Sequence, residues 1–212
     1  MASVYRRYAH RTVPIEIGER YTDAAWAQRL MSVGQFFCDY LTPNALHKGY
    51  LAQHNLFDQI PELRADVVIP DYCCLSPTEA HATTASDEDD NNNDDADDTV
   101  RLNAWLGPAH TESPLHFDPD HNLFAQVVGS KYLRLFSPQM SSCLYPYADE
   151  LLANTSQIKS SESVDVDTYP AYVHAEGWEA IVHSGEMLYI PPRWWHYVRS
   201  LEPSFSVSFW WG

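Results

Sequence analysis

An α+β fold, mainly β, is what this sequence predicts, and three observations predict it. From Val100 onward, seven short apolar runs follow one another, separated by Gly, Pro and Ser turns. Ahead of them lies a stretch whose apolar residues recur at helical spacing. The whole chain has 212 residues, 45% hydrophobic and 13% aromatic, enough for one well-buried core. Many short strands with close turns argue for a sandwich or barrel, and helices at the front make the whole α+β.

The elements follow in order. Residues 1–12 are expected to be an N-terminal tail, with one catalytic domain spanning 13–212. "VPIEIGERY" reads as a strand in which Val13, Ile15 and Ile17 alternate with Glu16, so Glu16 faces the other way. In "YTDAAWAQRLMSVGQFFCDYL", Trp26, Leu30, Val33, Phe37 and Leu41 repeat near 3.6 residues. Thr22 or Asp23 can cap the start and Pro43 follows the end, so an amphipathic helix is expected. "NLFDQI" predicts a short helix and "ADVVIP" a strand running into a turn. The run "SDEDDNNNDDADD" at 86–98 has no periodicity and repels itself, which predicts a disordered loop. Then come the strands "VRLNAWLG", "NLFAQVV" and "KYLRLFSP", the last two joined by a hairpin at Gly129–Ser130. Ser137 to Trp178 is irregular and polar. "EAIVHS", "GEMLYIPP", "WWHYVRSL" and "SFSVSFWW" close the chain, with turns at Gly185, Pro191–Pro192 and Glu202–Pro203.

Composition excludes several functions. The net charge is −16, and without the eight acids of the run at 86–98 the chain is still at −8. No basic stripe is available to neutralise phosphates, so direct nucleic-acid binding is not expected and basic proteins or peptides are the natural partners. No run of about 18 apolar residues offers a membrane span. The start has no apolar signal-peptide core. Cys38, Cys73, Cys74 and Cys143 lack zinc-ligand spacing and read as reduced thiols of an intracellular protein, nuclear or cytoplasmic.

"SPLHFDPDHN" at 113–122 concentrates two histidines and two aspartates within a hydrophobic region. On a strand, His116 and Asp118 share a face and can occupy adjacent corners of a metal's coordination shell. His196, in "IPPRWWHYV", is placed to supply a third ligand from another strand. Two imidazoles and a carboxylate make a facial triad with open positions, the set that suits non-haem Fe(II) and O2 chemistry. The pattern also admits a solvated loop, since His-x-Asp arises often by chance. His121 is a poorer ligand candidate, because its neighbour Asp120 would face away on a strand. A serine hydrolase lacks the G-x-S-x-G elbow, and nothing selects a glycosidase carboxylate pair. Lys131 opens "KYLRLFSP" and can project into the barrel, where burial is costly unless it meets an anion such as a dicarboxylate. Otherwise it sits at a solvated hairpin mouth.

Three stretches then carry a resemblance: "SPLHFDPDHN", "GSKYLRLFSP" and "GEMLYIPPRWWHYVRSLEPSFSVSFWW". They resemble the JmjC-domain Fe(II)- and 2-oxoglutarate-dependent oxygenases, and "VPIEIGERYTD", "GYLAQHNLFDQIPEL" and "IPDYC" are similar to the lysine demethylase 8 branch. The likeness runs from about Val13 to Gly212. It implies a double-stranded β-helix, a jelly-roll, cupin-like barrel with flanking N-terminal helices. It implies His116, Asp118 and His196 as catalytic iron ligands, and 2-oxoglutarate met by Lys131, Tyr50, Ser113 and Asn122, with O2 as the further co-substrate. It places Glu16, Tyr21, Trp26, Gln53 and Trp105 on the substrate side. Two outcomes are attached to the branch: demethylation of histone lysine and hydroxylation of arginine side chains. A guanidinium can pair bidentately with Glu16 while Trp26 and Trp105 line its faces, which favours arginine hydroxylation. A catalytically silent module that binds basic tails is the alternative from another class.

Overall fold

Period-two alternation in the second half of the chain becomes two antiparallel sheets. The computed structural model describes residues 2–18, 22, 25–42, 45, 47–74 and 100–212. The acidic run at 86–98 and the expected helix boundaries Asp23 and Pro43 lie outside them. In chain order the elements are α1 (Ala2–Tyr8), β1 (Thr12–Ile17), β2 (Ala27–Ser32), α2 (Val33–Tyr40), β3 (Gly49–His54), α3 (Leu56–Gln59) and α4 (Pro61–Arg64). There follow β4 (Arg101–Gly107), β5 (Glu112–His116), β6 (His121–Val128), β7 (Ser130–Phe136), β8 (Gly177–His183), β9 (Met187–Ile190), β10 (Trp195–Ser200) and β11 (Ser204–Trp211). One sheet runs β2-β1-β3-β4-β11-β6-β9 and the other β5-β10-β7-β8.

Alternation decides which side chains meet between the sheets. On β6, Leu123 and Ala125 point to the outer face, where α2, α3 and the β1 residues Val13 and Ile15 pack against them. Phe124 points the other way, into a cluster with Leu133, Leu135, Val182 and Val198 of the four-stranded sheet and Ile190 of β9. On β7 and β10 the complementary set, Phe136, Trp195 and Tyr197, faces outward and is covered by Leu144, Met140 and Tyr172 from the connection between β7 and β8. Lys131 shares its face with Leu133 and Leu135, and His196 shares its face with Val198. Both therefore point between the sheets. This is the two-sheet, cupin-like jelly roll that the family resemblance implied. Among the described residues no helix is long and apolar enough to cross a membrane.

The β6–β7 hairpin turns where expected. Gly129 has φ +76°, and a Cβ there would stand 2.4 Å from the carbonyl oxygen of Pro203, so only glycine fits.

Four expectations meet a different structure. The stretch expected as one helix from Tyr21 to Leu41 divides into β2, antiparallel to β1 from Thr12↔Ser32 to Ile17↔Ala27, and α2. Ser32 rather than Thr22 caps the helix, its Oγ accepting from the Gln35 N–H at 3.1 Å. Leu30, counted in the helical stripe, is 76% exposed. Pairing with β1 outweighed a spacing that these residues also satisfied. "ADVVIP" forms no strand: Arg64 donates to the Val67 carbonyl at 2.8 Å and Val68 is 84% exposed. Next, β5 ends at His116, so Asp118 stands in the loop beyond rather than on the strand. The residues expected as a tail, 1–12, include helix α1 and the start of β1.

Candidate metal centre and its two pockets

The register of one strand pair creates the centre. β5 and β10 are antiparallel with His116 opposite His196, which brings the two rings to 4.3 Å between centroids. Asp118 reaches back from the loop, with its Oδ2 3.6 Å from His196 Nε2 and its Oδ1 4.0 Å from His116 Nε2. The three ligand atoms lie within 4.8 Å of one another, a group that could hold a metal ion.

Both imidazoles are prepared as ligands. The Nδ1 of His116 bonds to the Pro114 carbonyl at 2.7 Å, and that of His196 to the Trp194 carbonyl at 3.0 Å. A carbonyl only accepts, so each Nδ1 carries the proton and each Nε2 lone pair is free toward Asp118. Burial pushes the His196 imidazole down to about 4, and the neighbouring His116 adds to this against the opposing pull of Asp118. A neutral ring near neutral pH is the form that binds a cation.

The loop bearing Asp118 is held on both sides. Phe117, between the two ligands, donates its N–H to the Asn154 carbonyl at 2.9 Å and accepts from Asn154 Nδ2 at 3.0 Å. Arg193 N–H donates to the Asp118 carbonyl at 2.7 Å. His116 also forms a β-bridge with Thr155. Sequence reasoning passed over Asn154, because nothing in an irregular polar segment marks which amide reaches residue 117. Outer partners that orient ligands contribute 10–100-fold to metal affinity as a rule. Asn154→Ala is therefore expected to weaken Mn(II) binding, followed by the spin-resonance signal of the free ion, by about tenfold with an unchanged melting temperature. Unaltered binding would show that Arg193 and the bridge suffice.

Behind the triad lies an inner pocket lined by Tyr50, Ser113, Asn122 and Lys131 as well as the triad, with Phe124, Ile190, Val198, Trp105 and Ser208. Lys131 is 1% exposed; its ammonium donates to Tyr50 Oη at 3.1 Å and lies 5.4 Å from the ring centroids of Tyr50 and Phe124. Among the described residues no carboxylate forms an ion pair with it, and burial pushes it down to about 7. Burial drives the Tyr50 hydroxyl up, with Ser113 acting in the opposite sense, so the phenol stays neutral. Asn122 presents a buried side-chain oxygen without a hydrogen-bond partner among the described residues. A buried cation beside neutral polar groups suits a small dianion, and a dicarboxylate chelating a metal at the triad has the chemistry to fill it.

A wider outer pocket, open to solvent, joins the inner one across Tyr50, Trp105, Ser113, His116 and Asp118. Glu16, Trp26 and Gln53 line it, as do Glu112, Leu151, Leu152 and Asn154. Thus the residues expected on the substrate side converge at this mouth, apart from Tyr21, which lies outside the described residues. Glu16 is opposite Tyr50 in the β1–β3 pair, on the face away from buried Val13 and Ile15, as the alternation predicted. Burial raises its carboxyl, and the nearby Trp26 indole partly offsets the rise. Trp105 is fixed by its Nε1 donating to Ser208 Oγ at 3.0 Å. Ser208 was missed in the sequence, although Ser204, Ser206 and Ser208 alternate with Phe205, Val207 and Phe209 on one strand and so signal a polar inner face.

A family profile described as a cupin-like domain matches residues 2–212. The chain is 48% identical over 201 residues to lysine-specific demethylase 8 of Xenopus tropicalis, a match covering 95% of this chain and 41% of that protein. It is 49% identical over 202 residues to lysine-specific demethylase 8 of Danio rerio, covering 95% and 45%. It is 45% identical over 204 residues to lysine-specific demethylase JMJ30 of Arabidopsis thaliana, covering 95% and 43%. The chain spans less than half the length of each of these relatives.

Proposed function

We propose, because the chain belongs to the cupin-like family of JmjC oxygenases, that it hydroxylates an arginine side-chain carbon in a basic protein substrate. JmjC oxygenases use Fe(II) and 2-oxoglutarate, which together with O2 supply the oxidising power for inserting oxygen into a C–H bond. The chain's own residues bind, orient and exclude. His116, Asp118 and His196 hold the metal; Lys131, Tyr50, Ser113 and Asn122 receive the dicarboxylate in the inner pocket. The apolar wall of Phe124, Ile190 and Val198 keeps water from that pocket. The outer pocket would position the substrate side chain beside His116 and Asp118, which line it.

The observation that carries the choice of substrate is Glu16. A half-buried carboxylate whose protonated form burial favours is poised to gain from a cation that restores its charge. A guanidinium pairs with it through two N–H groups and presents flat faces to Trp26 and Trp105, whereas a dimethyl-lysine ammonium offers one N–H. Glu16→Ala is expected to lower arginine hydroxylation by about 10–100-fold, the loss of a charge-assisted pair, while 2-oxoglutarate and Mn(II) still bind. Full activity in this variant would remove the basis for arginine.

The names of the relatives favour a second reading. Lysine-specific demethylases act with the same centre, and hydroxylation of an N-methyl carbon ends in loss of formaldehyde. Mass spectrometry of basic peptides incubated with enzyme, Fe(II), 2-oxoglutarate and ascorbate separates the two. Gain of one oxygen on arginine supports hydroxylation; loss of a methyl group from lysine with formaldehyde release establishes demethylation instead. Neither product, with no succinate formed, would point to a silent binding module.

A further inference from the structure

Leu151 is 89% exposed, more than any other large hydrophobic side chain among the described residues. It does not sit on a loose segment. Asp149 caps the 3-10 turn Glu150–Leu152, its carboxylate accepting from the Leu151 N–H at 2.8 Å and its carbonyl from the Leu152 N–H at 3.1 Å. Thr155 N–H then donates to the Leu152 carbonyl at 2.8 Å, and Asn154 ties the same segment to Phe117. A single exposed leucine is ordinary on a protein surface. This one is fixed at the mouth of the outer pocket, where Leu151 and Leu152 form one wall. Glu16 and Glu112 line the remaining walls beside Asp118 of the triad, and among the described residues no lysine or arginine lines the pocket.

The lining runs from Glu16 and Trp26 to Leu151 and Leu152 and the pocket opens to solvent, so more than the reacting residue can enter it. Charge complementarity selects a basic segment, and the leucine wall selects an apolar neighbour. We infer that the outer pocket is an amphipathic recognition surface for a basic segment in which an aliphatic side chain accompanies the arginine and covers Leu151 and Leu152. The inference rests on the reading of the outer pocket as the substrate's. Recognition is thereby divided: Glu16 holds the residue that reacts, and the leucines discriminate among sequences around it.

The test uses two short peptides that differ only beside their single arginine, leucine in one and serine in the other. Binding is read by fluorescence anisotropy under anaerobic conditions with Fe(II) and 2-oxoglutarate present, so that no turnover intervenes. The wild-type protein is expected to bind the leucine peptide about tenfold more tightly, a fraction of what full burial of a leucine brings. Leu151→Ser, at an exposed position where folding is undisturbed, is expected to abolish that preference by weakening the leucine peptide's binding. Equal binding of both peptides by the wild type, or a preference that survives in Leu151→Ser, overturns the inference. If neither peptide binds, the inference and the substrate-pocket reading fall together. If the preference depends on Leu151 but aerobic incubation adds no oxygen to arginine, the inference stands and only arginine hydroxylation fails.

Discussion

Asp118→Ala and His116→Ala are expected to lose turnover to background and to weaken Mn(II) binding by more than about 100-fold. That bound exceeds the upper end of what removal of an outer partner costs, because each variant removes one of three direct ligands. The argument is geometric: Asp118 places one oxygen 3.6 Å from His196 Nε2 and the other 4.0 Å from His116 Nε2, so it is the shared corner of the site. Neither side chain fills a large core volume, and the fold is expected to persist, with circular dichroism unchanged. His196 is 4% exposed and is a poorer choice, since its truncation would also leave a cavity. Affinity and turnover should fall together and in both variants. Turnover at the wild-type rate in either one would sink the facial-triad reading.

What the residues made legible follows from which forces are local. The alternation in "KYLRLFSP" and "SFSVSFWW" specified strand, face and neighbour at once, because one face of each strand had to be buried. Lys131 was left between the barrel interior and a solvated hairpin mouth, and its burial on the face of Leu133 and Leu135 places it inside. The pairing of His116 with His196 was open to the same reasoning, since both lie in strand-like runs dense in apolar residues. Asp118 converged on the site for a different reason than spacing suggested. It stands beyond the end of β5, next to Phe117, whose backbone bonds to Asn154 37 residues later, and its own carbonyl accepts from the Arg193 N–H. Such long-range backbone hydrogen bonds leave no periodic trace.

The first half of the chain was harder for a related reason. Residues 27–32 satisfied a helical stripe, but β1 offered six backbone pairings, and a solvated edge strand tolerates an exposed Leu30. "GYLAQH" lacks alternation because the inner residues Gly49, Tyr50 and Leu51 are all buried, so β3 was not seen as a strand. Tyr50 and Gln53 were consequently named through the family likeness alone. The structure supplies the missing reason: β3 stands between β1 and β4, which brings Tyr50 opposite Glu16 and its hydroxyl within 3.1 Å of Lys131.

Lys131 carries the second large expectation, and its direction with pH can be worked out. Truncating one partner of a buried charge pair costs about 2–5 kcal/mol, so Lys131→Met is expected to raise the KM for 2-oxoglutarate by at least about 30-fold. Methionine keeps the volume, and the fold should not suffer. Without the dicarboxylate the wild-type amine is buried with no carboxylate paired to it among the described residues, and burial pushes it down to about 7 from 10.5. Between those values the unfolded chain binds a proton that the folded chain does not. Stability of the ligand-free protein should therefore rise with pH across that window, fall as pH drops toward 7, and level off below it. The same slope should vanish in Lys131→Met. A bound dicarboxylate favours the ammonium, so binding must take up a proton wherever the free amine is neutral. At pH 8 the uptake should approach about one proton, and above pH 7 the apparent affinity should fall roughly tenfold per pH unit. Titration calorimetry of 2-oxoglutarate into the Mn(II)-loaded protein, in two buffers of different ionisation enthalpy, measures that uptake directly. Proton exchange that persists undiminished in Lys131→Met would assign it to another group, and an unchanged KM would show that the distal carboxylate is held elsewhere.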